Sequence, residues 1–439
     1  MGEHEGLALD ATPRAPSRQA ARAGKPAVAA ARVALAQPPR KIAPLPYRIA
    51  HIAASDAALA LLLGNQLEHF RKAGYEVAGI AARSAHAAEL DAAGVEFFEL
   101  PVKRTLDPLG DLRALIRLYR LLRRERFDII HTHTPKGGLL GQYAALLARV
   151  PLRVHTIHGL YFPGSMRPSR RWIYVWLERI TLAFSHHNFS QNPEDVPVAI
   201  AERISAPDRI EQIGNGISMR RFDPARISAD ERRRTRAELG LADGQLLVGM
   251  VARLVAEKGY EEAFRAARLL KDRVPNARFA FVGWFEDKPD AITPDALARH
   301  GIADVAQLLG HRRDVERLYA AMDVFMLPSH REGFPRALME AAAMGLACVA
   351  TDVRGCRQCV EHEVTGLLVP VRDPAALAAA LERLLRSPAE RARMGAAGRQ
   401  KALREFDETR IIAAILAAYR RLAARRGLVT RRRPAPGPR

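Results

Sequence analysis

Cysteine is scarce in this 439-residue sequence: Cys348, Cys356 and Cys359 are the only three. That is too few to staple a disulfide-built fold, and it suits a reducing cytoplasm. Cys356 and Cys359 form a lone C-x-x-C without the second pair that a zinc site of this type needs. Long apolar runs are missing as well, since nothing approaches the roughly 18 residues of a membrane-spanning helix. The Ala-rich stretch 27–36 is short and broken by Arg32, so no secretory leader is expected. Neither G-x-G-x-x-G after a first strand nor G-x-x-x-x-G-K-[ST] occurs, which sets aside dinucleotide redox chemistry and P-loop hydrolysis. The glycine-rich run Gly137-Gly138-Leu139-Leu140-Gly141 fits neither pattern. Acidic residues are few beside basic ones, 48 against 68, for a net charge of +20.

Taken whole, such a charge points to nucleic acid or anionic lipid. Its distribution weakens that inference. Residues 1–48 carry eight basic and three acidic side chains, and residues 420–439 carry eight Arg and no acid. Thirteen of the twenty net charges therefore sit in the two ends, and no nucleic-acid motif accompanies them. No nucleic-acid partner is expected.

What remains is a globular composition, 48% hydrophobic and 26% charged, long enough for two or three cores. Residues 1–46 are Ala, Arg and Pro with few large apolar side chains, and they read as a disordered basic tail. From residue 47 short apolar strands alternate with helices, as in a parallel sheet covered on both faces. The rhythm pauses in the charged stretch 221–243 and restarts. The expected organisation is a first doubly wound α/β domain at 47–220, a second at 221–405, and a helix at 406–425 returning to the first. An Arg/Pro tail follows at 426–439. Ligands of such sheets lie beyond the carboxyl ends of the strands, so a cleft between the domains is the expected site.

The segment richest in chemistry is Pro328-Ser-His-Arg-Glu-Gly-Phe-Pro-Arg-Ala-Leu-Met-Glu340. A buried strand at 323–327 leads into a loop, and Pro335 stands in the first turn of the next helix. The free N–H groups of Arg336 and Ala337 and the helix dipole make an anion site there. Glu332 precedes it, and Glu340 lies about 7–8 Å further along the axis. Two carboxylates beside a phosphate suit the hydroxyls of a sugar. From spacing alone, a surface loop and a helical Glu in an ion pair fit equally well. A second segment ends in Val251-Ala-Arg253-Leu-Val-Ala-Glu-Lys258-Gly259, which puts two cations at a strand exit, able to balance a diphosphate without metal.

These segments resemble the donor-site signature of family 4 retaining glycosyltransferases. The likeness covers E-G-F-P-x-x-x-x-E from Glu332 to Glu340, the preceding D-V-F-M-L-P-S and the following E-A-x-x-x-G. It extends to V-A-R-L-x-x-E-K-G, I-G-N-G-I at 213–217, G-x-x-x-D-V-x-x-L-Y at 310–319 and T-D-V-R-G-C-R at 351–357. The resemblance implies the GT-B fold, two Rossmann-like domains facing a cleft. It implies that Glu332 meets the donor sugar, Glu340 the ribose, and Arg253 and Lys258 the diphosphate, with Gly333, Phe334, Arg336 and Ala337 around them. His311 and Arg312 would border the base, and His158, in His155-Thr-Ile-His158-Gly159, would reach the reacting centre. It also implies a cofactor-free, front-face transfer from a nucleotide sugar, UDP-linked by preference, to a lipid-linked or saccharide acceptor. His131-Thr-His133-Thr-Pro-Lys-Gly-Gly is similar to a branch that builds capsular and exopolysaccharide units. Nucleotide-sugar epimerases share the fold and act without an acceptor; they are one alternative, and a basic nucleic-acid-binding protein, suggested by the net charge alone, is the other.

The loop after the first strand departs from the family pattern. Ala53-Ala-Ser55-Asp56 stands where many members have Gly-Gly, so Ser55 and Asp56, with His131 and His133, are expected on the acceptor side. His131 and His133 share a strand face, but no Asp, Glu or Cys is placed to complete a set, so no metal is expected. Leu112, Leu115, Ile116, Tyr119 and Leu122 form a helical stripe near four Arg, and residues 167–177 combine three Arg with Trp172, Tyr174 and Trp176. These stretches fit an anionic membrane surface, hence a peripheral cytoplasmic location, and equally a helix that covers a sheet.

Overall fold

The computed structural model describes residues 47–84, 86–102, 107–160, 162, 166–285 and 289–428. Both basic tails expected from the sequence fall outside these residues, except for 426–428.

Among the described residues thirteen strands form two sheets. The first contains β1 (Arg48–Ser55), β2 (Glu76–Ala82), β3 (Glu96–Glu99), β4 (Ile129–His133), β5 (Leu152–Ile157), β6 (His187–Ser190) and β7 (Ile210–Gln212), in the spatial order β3-β2-β1-β4-β5-β6-β7. The second contains β8 (Leu246–Val251), β9 (Ala277–Val282), β10 (Ala306–Leu308), β11 (Val324–Leu327), β12 (Ala347–Thr351) and β13 (Gly366–Val369), ordered β10-β9-β8-β11-β12-β13. Every pairing within them is parallel. Each sheet reverses its winding beside its first strand, between β1 and β4 and between β8 and β11, and such switch points open crevices at the carboxyl ends. This is the doubly wound α/β architecture expected from the strand–helix rhythm.

Central strands are buried on both faces, as parallel sheets require; β4, β11 and β12 contain no exposed residue. Helices begin where the sequence supplies caps: Asp107 accepts from Gly110 N before Pro108–Glu125, and Asp373 from Ala376 N before Pro374–Arg386. The glycines of the run 137–141 allow helix Pro135–Leu147 to lie against the sheet, since a Cβ on Gly141 would come 2.5 Å from Thr132 Cγ2.

Several elements went unread in the sequence, among them edge strand β7, the short helices Ala87–Ala92, Asp195–Ala201, Ala229–Glu238 and Ala296–Arg299, and the long helix Pro388–Glu405. The last is rich in Arg and Ala and buries only Met394, Gly395, Gly398 and Ala402, so its apolar face is faint. Cys356 and Cys359 lie buried on a one-turn helix. The final helix, Glu408–Arg425, packs Ile412, Ile415, Tyr419 and Leu422 into the core of the first sheet. It starts where the chain passes between the sheets: Ile217 N donates to Phe406 O (2.9 Å), and Glu408 N to Ile217 O (3.1 Å).

Candidate functional site

At the switch point of the second sheet, the loops after β8 and β11 press against each other. Gly259, at φ +79°, is what permits this, because a Cβ there would stand 2.0 Å from Pro328 O. The approach places Lys258 Nζ 2.7 Å from Glu332 Oε1, with the two side chains 14% and 10% exposed. Ser329 Oγ donates to the same carboxylate oxygen at 2.7 Å. Arg253 is paired with Glu257 at 2.6 Å, and Arg331 stands 3.4 Å from that carboxylate's other oxygen. Both cations expected at a diphosphate therefore already hold carboxylates, which an incoming anion would have to share.

Pro335 caps helix Arg336–Ala343 with extended backbone, one position before the first turn assigned to it from the sequence. Glu340, one turn in, is nearly enclosed. Tyr319 OH donates to its Oε2 at 3.0 Å, Arg336 Nε lies 3.8 Å from Oε1, and burial raises its pKa. Arg336, Ala337 and Glu340 line a cavity of about 510 Å³ together with Arg253, His311 and Arg312. The opposite wall comes from the first sheet's side, through Leu61, Leu62, His86 and Glu89. On the second sheet's side of this cavity His311 and Trp284 meet edge to face at 5.8 Å. Arg312 is held by Asp314 through two hydrogen bonds of 2.8 and 2.6 Å.

The two sheets touch through glycine. A Cβ on Gly333 would lie 2.1 Å from His158 O, and one on Gly159 would lie 2.7 Å from Gly333 Cα. Asn192 Nδ2 donates to Gly333 O at 2.8 Å and Asn215 Nδ2 to Phe334 O at 3.2 Å. Ion pairs reinforce the contact: Arg354 to Asp195 at 2.5 Å and Arg357 to Glu194 at 3.0 Å.

His158 lines a second, narrow cavity of about 30 Å³, with His133, Gln191 and Arg336 among its walls. Both ring nitrogens of His158 are engaged: Nε2 stands 3.0 Å from His133 Nδ1, and Nδ1 3.1 Å from Gln191 Oε1. Burial keeps the ring neutral, with a pKa of about 4.

Two of the residues expected on the acceptor side, His131 and Asp56, are enclosed. His131 has no exposed surface; its nitrogens bond Tyr419 OH and, at 2.6 Å, Thr156 Oγ1. Asp56 is equally enclosed. Burial opposes its charge, yet hydrogen bonds from Ser84 and Ala57 N–H outweigh it and hold the carboxyl below its ordinary pKa. Asp56 thus ties β1 to the loop after β2 and is closed to a ligand. His133 is 2% exposed, and Ser55 Oγ accepts from Ala58 N at 3.4 Å. The apolar stripe at 112–122 also splits: Ala114, Leu118 and Leu122 face the sheet, while Leu109, Leu112, Ile116 and Tyr119 are exposed.

A third imidazole went unread. His51 on β1 lies beside His131 and His133, one nitrogen of each within 4.8 Å of the others. Nδ1 of His51 is 3.0 Å from His133 Nε2, and Nε2 of His51 has no partner. Gln191, Asn192 and Asn215 were likewise missed as linkers, although each follows the carboxyl end of a strand, β6 or β7, where ligand-facing polar residues collect.

Residues 231–401 match the family model described as glycosyl transferases group 1, and residues 58–216 match a glycosyl transferase 4-like domain. Among curated relatives, the UDP-Gal:alpha-D-GlcNAc-diphosphoundecaprenol alpha-1,3-galactosyltransferase of Escherichia coli is 34% identical over 279 residues, 63% of this chain and 71% of the relative. The capsular polysaccharide biosynthesis glycosyltransferase CapM of Staphylococcus aureus is 24% identical, covering 82% of this chain and 93% of its own. Among solved structures, Anabaena Alr3699/HepE in complex with UDP and glucose superposes with a TM-score of 0.72 at 20% identity, over 85% of this chain and all of the other.

Proposed function

The chain belongs to the group 1 glycosyltransferases, and from that premise we propose that it transfers a hexose or N-acetylhexosamine, with retention, from a UDP-sugar to a lipid-linked saccharide during surface polysaccharide synthesis. The observation that carries this is the Lys258–Glu332 pair beside the start of helix Arg336–Ala343, with Glu340 on the wall of the adjoining cavity. Glu340 suits ribose hydroxyls, while the N–H groups of Arg336 and Ala337, with Arg253 and Lys258, suit a diphosphate. Glu332, next to Lys258, suits the hydroxyls of the sugar attached to it. The UDP preference and the lipid-linked acceptor rest on the Escherichia coli relative.

In this reading the bond from the anomeric carbon to phosphate oxygen breaks as one to the acceptor oxygen forms on the same face. The acceptor's hydroxyl proton passes to the departing phosphate oxygen. Lys258 and Arg253 stabilise the charge growing on the diphosphate, where fixed cations act most strongly. Thermal-shift titration against UDP- and GDP-sugars tests the donor: UDP-sugars should raise Tm, and a shift confined to GDP-sugars would refute the assignment.

The acceptor's lipid implies a surface to work from. The exposed Leu109, Leu112, Ile116 and Tyr119 beside Arg113, Arg117 and Arg120, and the exposed Trp172, Ile173, Trp176 and Leu177 on helix Pro168–Ala183, suit an anionic bilayer. Among the described residues no helix is long and apolar enough to cross a membrane. Flotation with vesicles containing phosphatidylglycerol should recover the protein, and neutral vesicles should recover less; equal recovery from both would contradict a basic contact face.

A further inference from the structure

Three imidazoles and one amide form an unbroken chain through the first sheet: His51 Nδ1 to His133 Nε2 at 3.0 Å, His133 Nδ1 to His158 Nε2 at 3.0 Å, and His158 Nδ1 to Gln191 Oε1 at 3.1 Å. A neutral imidazole has one donor and one acceptor nitrogen, so fixing one ring fixes the next. Gln191 Oε1 only accepts, which puts the His158 proton on Nδ1. Nε2 of His158 then accepts from His133 Nδ1–H, and Nε2 of His133 from His51 Nδ1–H. The far end agrees independently. His51 Nε2 is buried without a partner, and in this direction it is a bare lone pair rather than an orphaned N–H, the costlier defect.

The chain therefore points its donors toward Gln191 and fixes which way round that amide sits. Its oxygen is taken by His158, and among the described residues nothing accepts from its Nε2, which is not sealed away. Gln191 lines the 30 Å³ cavity with His158 and Arg336, a space on the scale of one hydroxyl group or water. The neighbouring residue, Asn192, holds the carbonyl of Gly333, which directly follows Glu332.

We propose that Gln191 donates its amide N–H to a hydroxyl of the transferred sugar, and that His51, His133 and His158 are positioning residues that hold the amide in that orientation. This rests on the donor reading above and adds a sugar contact on the first-sheet side. The chain also leaves His158 without a nitrogen to offer, so its part is to orient Gln191 and to keep positive charge away from an oxocarbenium-like sugar.

Two measurements on the full chain test this. With 15N-labelled histidine, assigned by single substitutions, long-range proton–nitrogen spectra at pH 7 should show His51, His133 and His158 neutral and protonated on Nδ1. Protonation of His158 on Nε2, or a charged ring, would overturn the orientation. In Gln191→Glu a carboxylate still accepts from His158 but cannot donate. UDP should bind it within about twofold of wild type. The KM for whichever of UDP-glucose, UDP-galactose or UDP-N-acetylglucosamine the wild type uses should rise about tenfold, the effect of one lost hydrogen bond. An unchanged KM would overturn the sugar contact. A wild type that binds neither UDP nor any of these sugars would instead refute the donor reading, leaving the tautomer result to stand separately.

Discussion

Single residues show where sequence was sufficient and where it was not. Glu332, Lys258 and Glu340 could be picked out as neighbours of one site because their placement depends on local spacing within two strand–loop–helix units. His131 and Asp56 were misassigned because burial depends on what covers them: Tyr419, nearly 290 positions later, closes over His131. The cluster of buried imidazoles also carries a stability consequence. His51 and His155 are held at about 3 by burial, and His131 and His133 well below their ordinary value for the same reason. The unfolded chain protonates these rings near pH 6.5, so below that pH it binds protons the fold refuses. Their contribution is complete above pH 6.5 and declines as pH falls, by up to about 1.4 kcal/mol per pH unit for each ring. Tm measured from pH 7.5 down to 5 should therefore drop steeply below 6.5; a flat profile would contradict neutral buried histidines.

Elements were read from periodicity, and they were read well where one face is clearly apolar. Strands β8, β9, β11 and β12 are short runs of Val, Phe, Met and Ala that nothing else explains. Edge strand β7 is three residues long, and helix Pro388–Glu405 has charge on most of its surface, so neither left a strong pattern. The loops between elements matter most for the site, and there glycine sets the spacing. Gly333→Ala would drive a Cβ into His158 O, where both groups are backbone and cannot turn aside. Turnover of a nucleotide sugar should fall about tenfold or more, with Tm lowered by a few degrees. Gly64→Ala is the control: nothing lies within 4 Å of its Cβ, and in a helix interior it should stabilise by about 0.5–1 kcal/mol. Equal activity of the two variants would show that the contact between the loops is dispensable.

At the scale of the whole molecule, two switch points face each other across contacts no single segment encodes. Gly159 meets Gly333, Asp195 meets Arg354, Arg336 reaches Leu62 O at 3.3 Å, and the last helix returns to the first sheet. The family motifs imply two such domains, but only the packed chain shows that Gln191 and Asn192 come beside the loop of Glu332. Net charge also changes meaning at this scale. A total of +20 suggested nucleic acid, whereas the cations proposed to act in catalysis are a few at strand exits, each already matched to a carboxylate. Lys258 carries the central claim, because it is proposed to hold the diphosphate and it pairs directly with Glu332, the carboxylate proposed to meet the sugar. The decisive measurement is turnover of a UDP-sugar by Lys258→Ala beside wild type, with Tm recorded for both. A loss of about a hundredfold or more in kcat at near-unchanged Tm is predicted; a folded variant with near-normal turnover would contradict the account.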